Sequence, residues 1–127
     1  MSERGSAAVA MAGLLGVIAL LAVAVASIGV LYGAKAQAQT AADAGALAAA
    51  VATYPPVARG APPVVARSVV AENGSRLVSC RCRVDGSLSE RTVEVVTAVG
   101  VSVPIFGTVE VGASSRAEFD PMRWLGW

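Results

Sequence analysis

The sequence predicts an α+β protein: a long N-terminal helix, half in a membrane and half out, then a short second helix packed on a three-stranded antiparallel β-meander. Three observations carry this expectation. Residues 5–34 contain no charged side chain, and about 20 such residues at ~1.5 Å rise each cross a ~30 Å hydrocarbon core. Beyond Lys35, the stretch Ala36 to Ala52 continues almost entirely in Ala, Gln, Asp, Thr and Leu, which prolongs the helix. Three later segments alternate apolar and polar residues with a period of two, the pattern of half-buried antiparallel strands.

Taken in order, residues 1–5 form a short leader or cytoplasmic tail and residues 6–34 the transmembrane segment. Arg4 and Lys35 close the apolar run at its two ends. The cytoplasmic side of a membrane protein carries the Lys/Arg excess; with the amino terminus and Arg4 before the span and Lys35 alone until Arg59 after it, the expected topology is N-in, C-out. Three readings compete for this end. A signal anchor keeps it whole. A secretory signal peptide is cut after a small-residue site, and Ala24-Val25-Ala26 before Ser27 fits that pattern, although Ile28, Val30, Leu31 and Tyr32 prolong the apolar run past it. A leader cut between Gly5 and Ser6 is the third, since a short charged leader ending in Gly before a long apolar helix is the shape that prepilin peptidases handle.

Residues 35–53 continue the helix outside the membrane. Gln37, Thr40 and Asp43 recur every three residues on one side, and Ala38, Ala41, Ala42, Gly45, Ala46 and Ala49 fill the rest. Small side chains let helices approach closely. Gly29 with Gly33, and Ala41 with Gly45, form small-xxx-small pairs and are the candidate helix-packing residues. The density of such residues along the Ser6–Thr53 rod points to association with other helices.

Pro55 and Pro56 end the helix, and residues 54–61 read as a linker. The expected small extracytoplasmic domain occupies residues 62–127. Pro62 and Pro63 suit the start of a second helix running from Val64 to about Asn73, with Val65, Val69 and Val70 on one face and Arg67 and Glu72 opposite. Asn73-Gly74 reads as its C-terminal cap; Asn73-Gly74-Ser75 also matches a glycosylation pattern, for which the cap is the simpler account. In the first strand Val78, Cys80, Cys82 and Val84 share a side, with Ser79, Arg81 and Arg83 on the other. Asp85-Gly86 opens a turn. The second strand, Thr92 to Val103, puts Val93, Val95, Val99, Val101 and Val103 on one face. After a turn at Pro104–Gly107, the third strand, Thr108 to Phe119, sets Val109, Val111, Ala113, Ala117 and Phe119 against Glu110, Arg116 and Glu118. The second helix is the expected cover for the apolar face.

Two residues apart on a regular strand, Cys80 and Cys82 lie roughly 7 Å apart, whereas a disulfide wants Cβ atoms ~3.8 Å apart. They are therefore not expected to bond to each other without a bulge. Two readings remain: small buried hydrophobes, in keeping with the valine-rich face, or thiols that bridge to another chain. The segment Phe119–Trp127 holds Trp124 and Trp127, suited to a lipid interface, a partner or the sheet edge.

Composition narrows the function classes. The chain has no histidine and one lysine, which removes the commonest general base, the commonest zinc ligand and most Schiff-base chemistry. No serine sits in a nucleophile elbow and no glycine-rich phosphate loop is present. With a net charge of +1 and interspersed charges after residue 59, no basic patch marks a nucleic-acid site. The expectation is a non-enzymatic protein without a cofactor, catalytic residue or metal site. Its rival form is a secreted or membrane-tethered small binding domain.

The run Lys35-Ala36-Gln37-Ala38-Gln39-Thr40-Ala41-Ala42-Asp43-Ala44-Gly45-Ala46-Leu47-Ala48-Ala49-Ala50 resembles the segment that follows the membrane helix in TadE/TadG-like proteins, minor pilins or pseudopilins of the tight-adherence (Flp) pilus system. Val65-Ala66-Arg67 through Asn73-Gly74-Ser75-Arg76-Leu77-Val78-Ser79-Cys80 is similar to the short TadE-like proteins of actinobacteria. The resemblance implies a bacterial, single-pass, pilin-like component of a tight-adherence pilus or secretion apparatus, surface- or pilus-associated. The implied partners are membrane lipid, other pilus or pseudopilin subunits and a prepilin peptidase. Two positions depart from the family's pattern. Counted from Ser6, the fifth residue is Ala10 where processed members commonly carry glutamate. The start of the second helix reads Pro62-Pro63-Val64-Val65 where relatives often carry a cysteine able to pair with the strand cysteine, so that bridge is not expected.

Overall fold

A computed structural model describes residues 2–127, with side chains from residue 5 onward; Met1 and the side chains of Glu3 and Arg4, which enter the topology expectation, lie outside the described part. Helix α1 runs unbroken over Ser2–Ala52, about 76 Å at 1.5 Å per residue. It is followed by α2 (Pro62–Glu72), β1 (Arg76–Arg81), β2 (Arg91–Val103), β3 (Gly107–Phe119) and a single turn, α3 (Pro121–Trp124). The three strands form one antiparallel sheet in the order β1-β2-β3. The expected α+β architecture is thus observed, with element boundaries close to those read from the sequence.

The local chemistry of each boundary is plain. The backbone N–H groups of Thr53 and Tyr54 close the last turn of α1 on the carbonyls of Ala49, Ala50 and Val51, and Pro55 and Pro56 stop further propagation. Two prolines open α2, where an N–H has no helical partner to lose. At its other end the Asn73 amide donates to the Val69 carbonyl at 2.8 Å. Gly74 takes φ +72°, the left-handed conformation that glycine adopts without penalty. Asp120 caps α3, accepting from the N–H groups of Met122 and Arg123 at 3.0 and 3.4 Å.

The core corrects the expected cover of the sheet. Helix α2 buries Pro62, Ala66 and Val70 and packs on α1 and β1, but α1 itself lies across β2 and β3. Ala41, Ala46, Ala49, Ala50 and Tyr54 join Ala66, Val70, Val93, Val95, Ala117 and Phe119 in one cluster. Residues 35–53 are therefore part of the globular unit, and the domain does not begin at residue 62. Along α1 the first described side chain that is not fully exposed is Val23. From there a stripe of covered residues continues through Ser27, Val30, Ala34, Ala38, Ala41 and Gly45 to Ala49, steps of three and four that trace one helical face.

Strand β1 departs from the simple alternation. A bulge between Leu77 and Ser79 shifts its register against β2, and the extra residue inverts the phase of what precedes it. Leu77 turns toward the core with Cys80 and Cys82, whereas Val78 and Val84, expected inside, are exposed. Strands β2 and β3 follow the predicted alternation except at Val109, expected inside but exposed where β3 leaves the hairpin tip. Val93, Val95, Val103, Ala113, Ala117 and Phe119 are buried, while Glu94 and Arg116 pair across the outer face at 2.9 Å.

Candidate functional site: the apolar helix and its docked hairpin

From Gly5 to Ala22 every side chain of α1 is exposed, and the run is apolar with a mean hydropathy of 2.8 over its best 18-residue window. By length and composition this helix can cross a membrane. From Val23 onward the same helix becomes the floor of the domain. The long hairpin of β2 and β3 lies along it, with its direction fixed by contacts at successive levels. Near the C-terminal end of α1, the rings of Tyr54 and Phe119 stand 6.3 Å apart. Higher up, the buried Thr97 hydroxyl donates to the Ala38 carbonyl at 2.7 Å. The Gln39 amide reaches the Ser114 carbonyl at 3.2 Å and the Lys35 ammonium the Gly112 carbonyl at 2.6 Å. The hairpin therefore points back toward the N-terminal, apolar half of α1, with Pro104–Gly107 at its tip.

Spacing alone does not announce these contacts. In the sequence Lys35 is only a charge flanking the span; in the structure it also ties the helix to β3. Gln37, grouped by spacing with Thr40 and Asp43, donates to the Gly74 carbonyl at 3.0 Å and so pins the turn between α2 and β1. The visible signal is the presence of amide-bearing residues between alanines, but a spacing pattern does not say which element each will meet.

Of the candidate helix-packing residues, Ala41 and Gly45 are occupied within the chain. A Cβ at Gly45 would lie 2.7 Å from a Val70 methyl and 3.4 Å from one of Val95. The small side chain there lets α2 and the sheet approach α1, which corrects its assignment to a partner helix. A methyl group added at Gly29 or Gly33 would meet nothing within 4 Å, so both positions are open. Gly5 and Ser6, the candidate cleavage pair, lie within α1 and are exposed.

Cys80 and Cys82 are joined to each other, with Cα atoms 5.4 Å apart. This corrects both expectations for them, free buried thiols and an interchain bridge. The physical reason is that β1 ends at Arg81, so Cys82 is released from the extended geometry that would have held the pair too far apart. The segment that follows is clamped by Arg91. Its guanidinium donates to the carbonyls of Asp85, Ser87 and Ser89 and stands 5.8 Å from the centroid of the Tyr54 ring. The Asp85 N–H donates to the Thr53 carbonyl at 2.9 Å, fastening this loop to the end of α1. The Asp85 carboxylate is held below the usual carboxylate range, first by the Ser87 N–H and then by its hydroxyl, with Arg91 and Arg83 adding to the effect. Among the described residues, no group of three His, Cys, Asp or Glu side chains is placed to hold a metal ion.

The long helix, bare and apolar at one end and docked on its own domain at the other, has a counterpart among known families. Residues 5–52 match the family model of the putative Flp pilus-assembly TadE/G-like proteins. The matched segment is α1 from Gly5 to its last residue. The resemblance read from Lys35 to Ala50 thus holds, and it extends back through the apolar run. No curated protein and no solved structure matches the chain. The match covers α1 and leaves α2 and the sheet outside it.

Proposed function

We propose that the protein is a membrane-anchored, minor-pilin- or pseudopilin-like component of a tight-adherence pilus or secretion apparatus, acting by helix association and surface presentation rather than by catalysis. The observation that carries this is the TadE/G-like helix itself: one continuous rod whose first part is bare and apolar on all sides and whose second part carries a folded domain. In this reading α1 crosses the cell membrane once, within residues 6–34, and the domain stands outside the cytoplasm. Gly29 and Gly33, open and beside the covered stripe, offer a close approach to a helix of another pilus subunit. A prepilin peptidase acting between Gly5 and Ser6 would release a chain beginning with the rod.

The test is co-purification with pilus proteins from the native membrane. Gly29→Ile and Gly33→Ile should reduce recovery several-fold without changing the amount of protein in the membrane. Replacing residues 6–22 by an unrelated apolar helix should also reduce it; full recovery after that exchange would mean that the helix is a simple tether. The N-terminal residue of the isolated protein decides the processing reading, with Ser6 expected.

A further inference from the structure

We propose that the tip of the β2–β3 hairpin, Ile105 with Phe106, is a second membrane contact that inserts into the lipid interface beside the transmembrane helix. This rests on the reading that α1 crosses a membrane. Four observations carry it. First, the tip is apolar and exposed: Ile105 is 83 % and Phe106 74 % accessible, although Val103 at the base of the turn is buried. Second, its backbone is held at a cost. The Phe106 N–H bonds the Val103 carbonyl at 3.2 Å, closing a turn with Pro104 second and Ile105 third. Ile105 has φ +71°, a conformation normally left to Gly or Asn and unfavourable for a β-branched side chain. A large apolar residue kept where glycine would be unstrained points to a use for its side chain.

Third, the hairpin places the tip at a defined height along α1. The Lys35–Gly112 and Gln39–Ser114 contacts show the strands climbing toward the N-terminal half. From Thr97, at the level of Ala38, the six residues to Val103 rise about 20 Å. The same distance along the helix is about 13 residues, which reaches the level of residue 25. The burial of α1 agrees independently, because its covered stripe starts at Val23 and Ser27 is only 8 % exposed. Fourth, what remains uncovered above that level is Gly5–Ala22. This segment is about 27 Å long, close to the ~30 Å of a hydrocarbon core. With that segment filling the bilayer, the outer boundary of the core lies beside Ile105 and Phe106. Apolar side chains on a loop at this depth exchange water for the acyl boundary.

The tip also replaces Trp124 and Trp127 as the interfacial candidate. Those residues follow Phe119, beside Tyr54 at the far end of the domain, roughly 40 Å from the level of residue 25.

The experiment uses the full chain in nanodiscs of phosphatidylcholine and phosphatidylglycerol. Single thiols introduced as Ile105→Cys, Phe106→Cys, Leu15→Cys and Ser87→Cys, with the native pair left oxidised, are labelled with an environment-sensitive fluorophore. Quenching is read from nitroxides placed shallow or deep in the lipid, and from iodide in the water. The expected result is quenching of both tip labels mainly by the shallow nitroxide, at least threefold above their quenching by iodide. The Leu15 label should respond to the deep nitroxide and the Ser87 label to iodide alone. Tip labels quenched by iodide alone, with Leu15 still deep, overturn the insertion and leave the spanning helix standing. Tip labels shielded from lipid and water alike mean a protein neighbour covers the hairpin, and also overturn it. A Leu15 label out of reach of the deep nitroxide removes the spanning reading and the insertion together.

Discussion

Gly45 shows how much can turn on one missing side chain. It sits where α1 meets Val70 of α2 and Val95 of β2, both fully buried. Alanine there would gain helix propensity of about 0.5–1 kcal/mol and β-branched valine less, but a larger side chain overfills a closed space, which typically costs about 1–3 kcal/mol. Gly45→Val should therefore lower the thermal midpoint of the protein in detergent, whereas Gly33→Ala, with open space around it, should leave it unchanged or raise it slightly. Equal effects of the two substitutions would contradict the close approach at Gly45. The sequence marks both glycines as small residues on one helix. It carries no sign of which faces the chain's own core, because alanine surrounds both and offers no contrast between faces.

At the level of the elements, legibility follows the strength of the pattern. Strands β2 and β3 alternate valine with polar residues, so their inward faces can be read directly. β1 resists the same reading because a one-residue bulge has no signature of its own, yet it inverts which of Leu77 and Val78 points inward. The cysteine pair is hidden for a related reason: a strand through Cys82 would hold the two thiols apart, and the strand stops one residue earlier. Nor does any local signal announce Arg91 as the clamp of the loop that follows, since its acceptors are backbone carbonyls of no particular residue type. That loop has a definite pH response. The Asp85 carboxylate is depressed in the folded state by its bonds to Ser87, so its contribution is present above the ordinary carboxylate pKa of ~3.9 and is lost as pH falls through the lower folded value. The protection factor of the Ser87 amide should fall in the wild type as pH drops below the ordinary carboxylate range, and Asp85→Asn should remove most of that dependence.

For the whole molecule, the decisive finding is that one helix supplies both the exposed apolar run and part of the core. The sequence divides these roles at residue 34 and places the domain after residue 61. In the structure, Ala41, Ala46, Ala49 and Ala50 belong to the same cluster as Val93, Val95 and Phe119. A fragment of residues 23–127 should accordingly keep a folded sheet, with dispersed amide resonances. A fragment of residues 54–127 should not, because it leaves the inner faces of β2 and β3 without their cover. A folded 54–127 fragment would restore the boundary read from the sequence.

In the proposed membrane reading the rod is also a lever arm, because α1 continues unbroken from the apolar run into the domain. From Ala22 to Ala52 it measures about 45 Å, so tilting the membrane segment by about 10° carries the Tyr54 end sideways by roughly 8 Å, well within the tilts that bilayers impose on single helices. Small changes in bilayer thickness or in the lean of a neighbouring helix are thereby amplified into displacements of Trp124 and Trp127 large enough to make or break a contact.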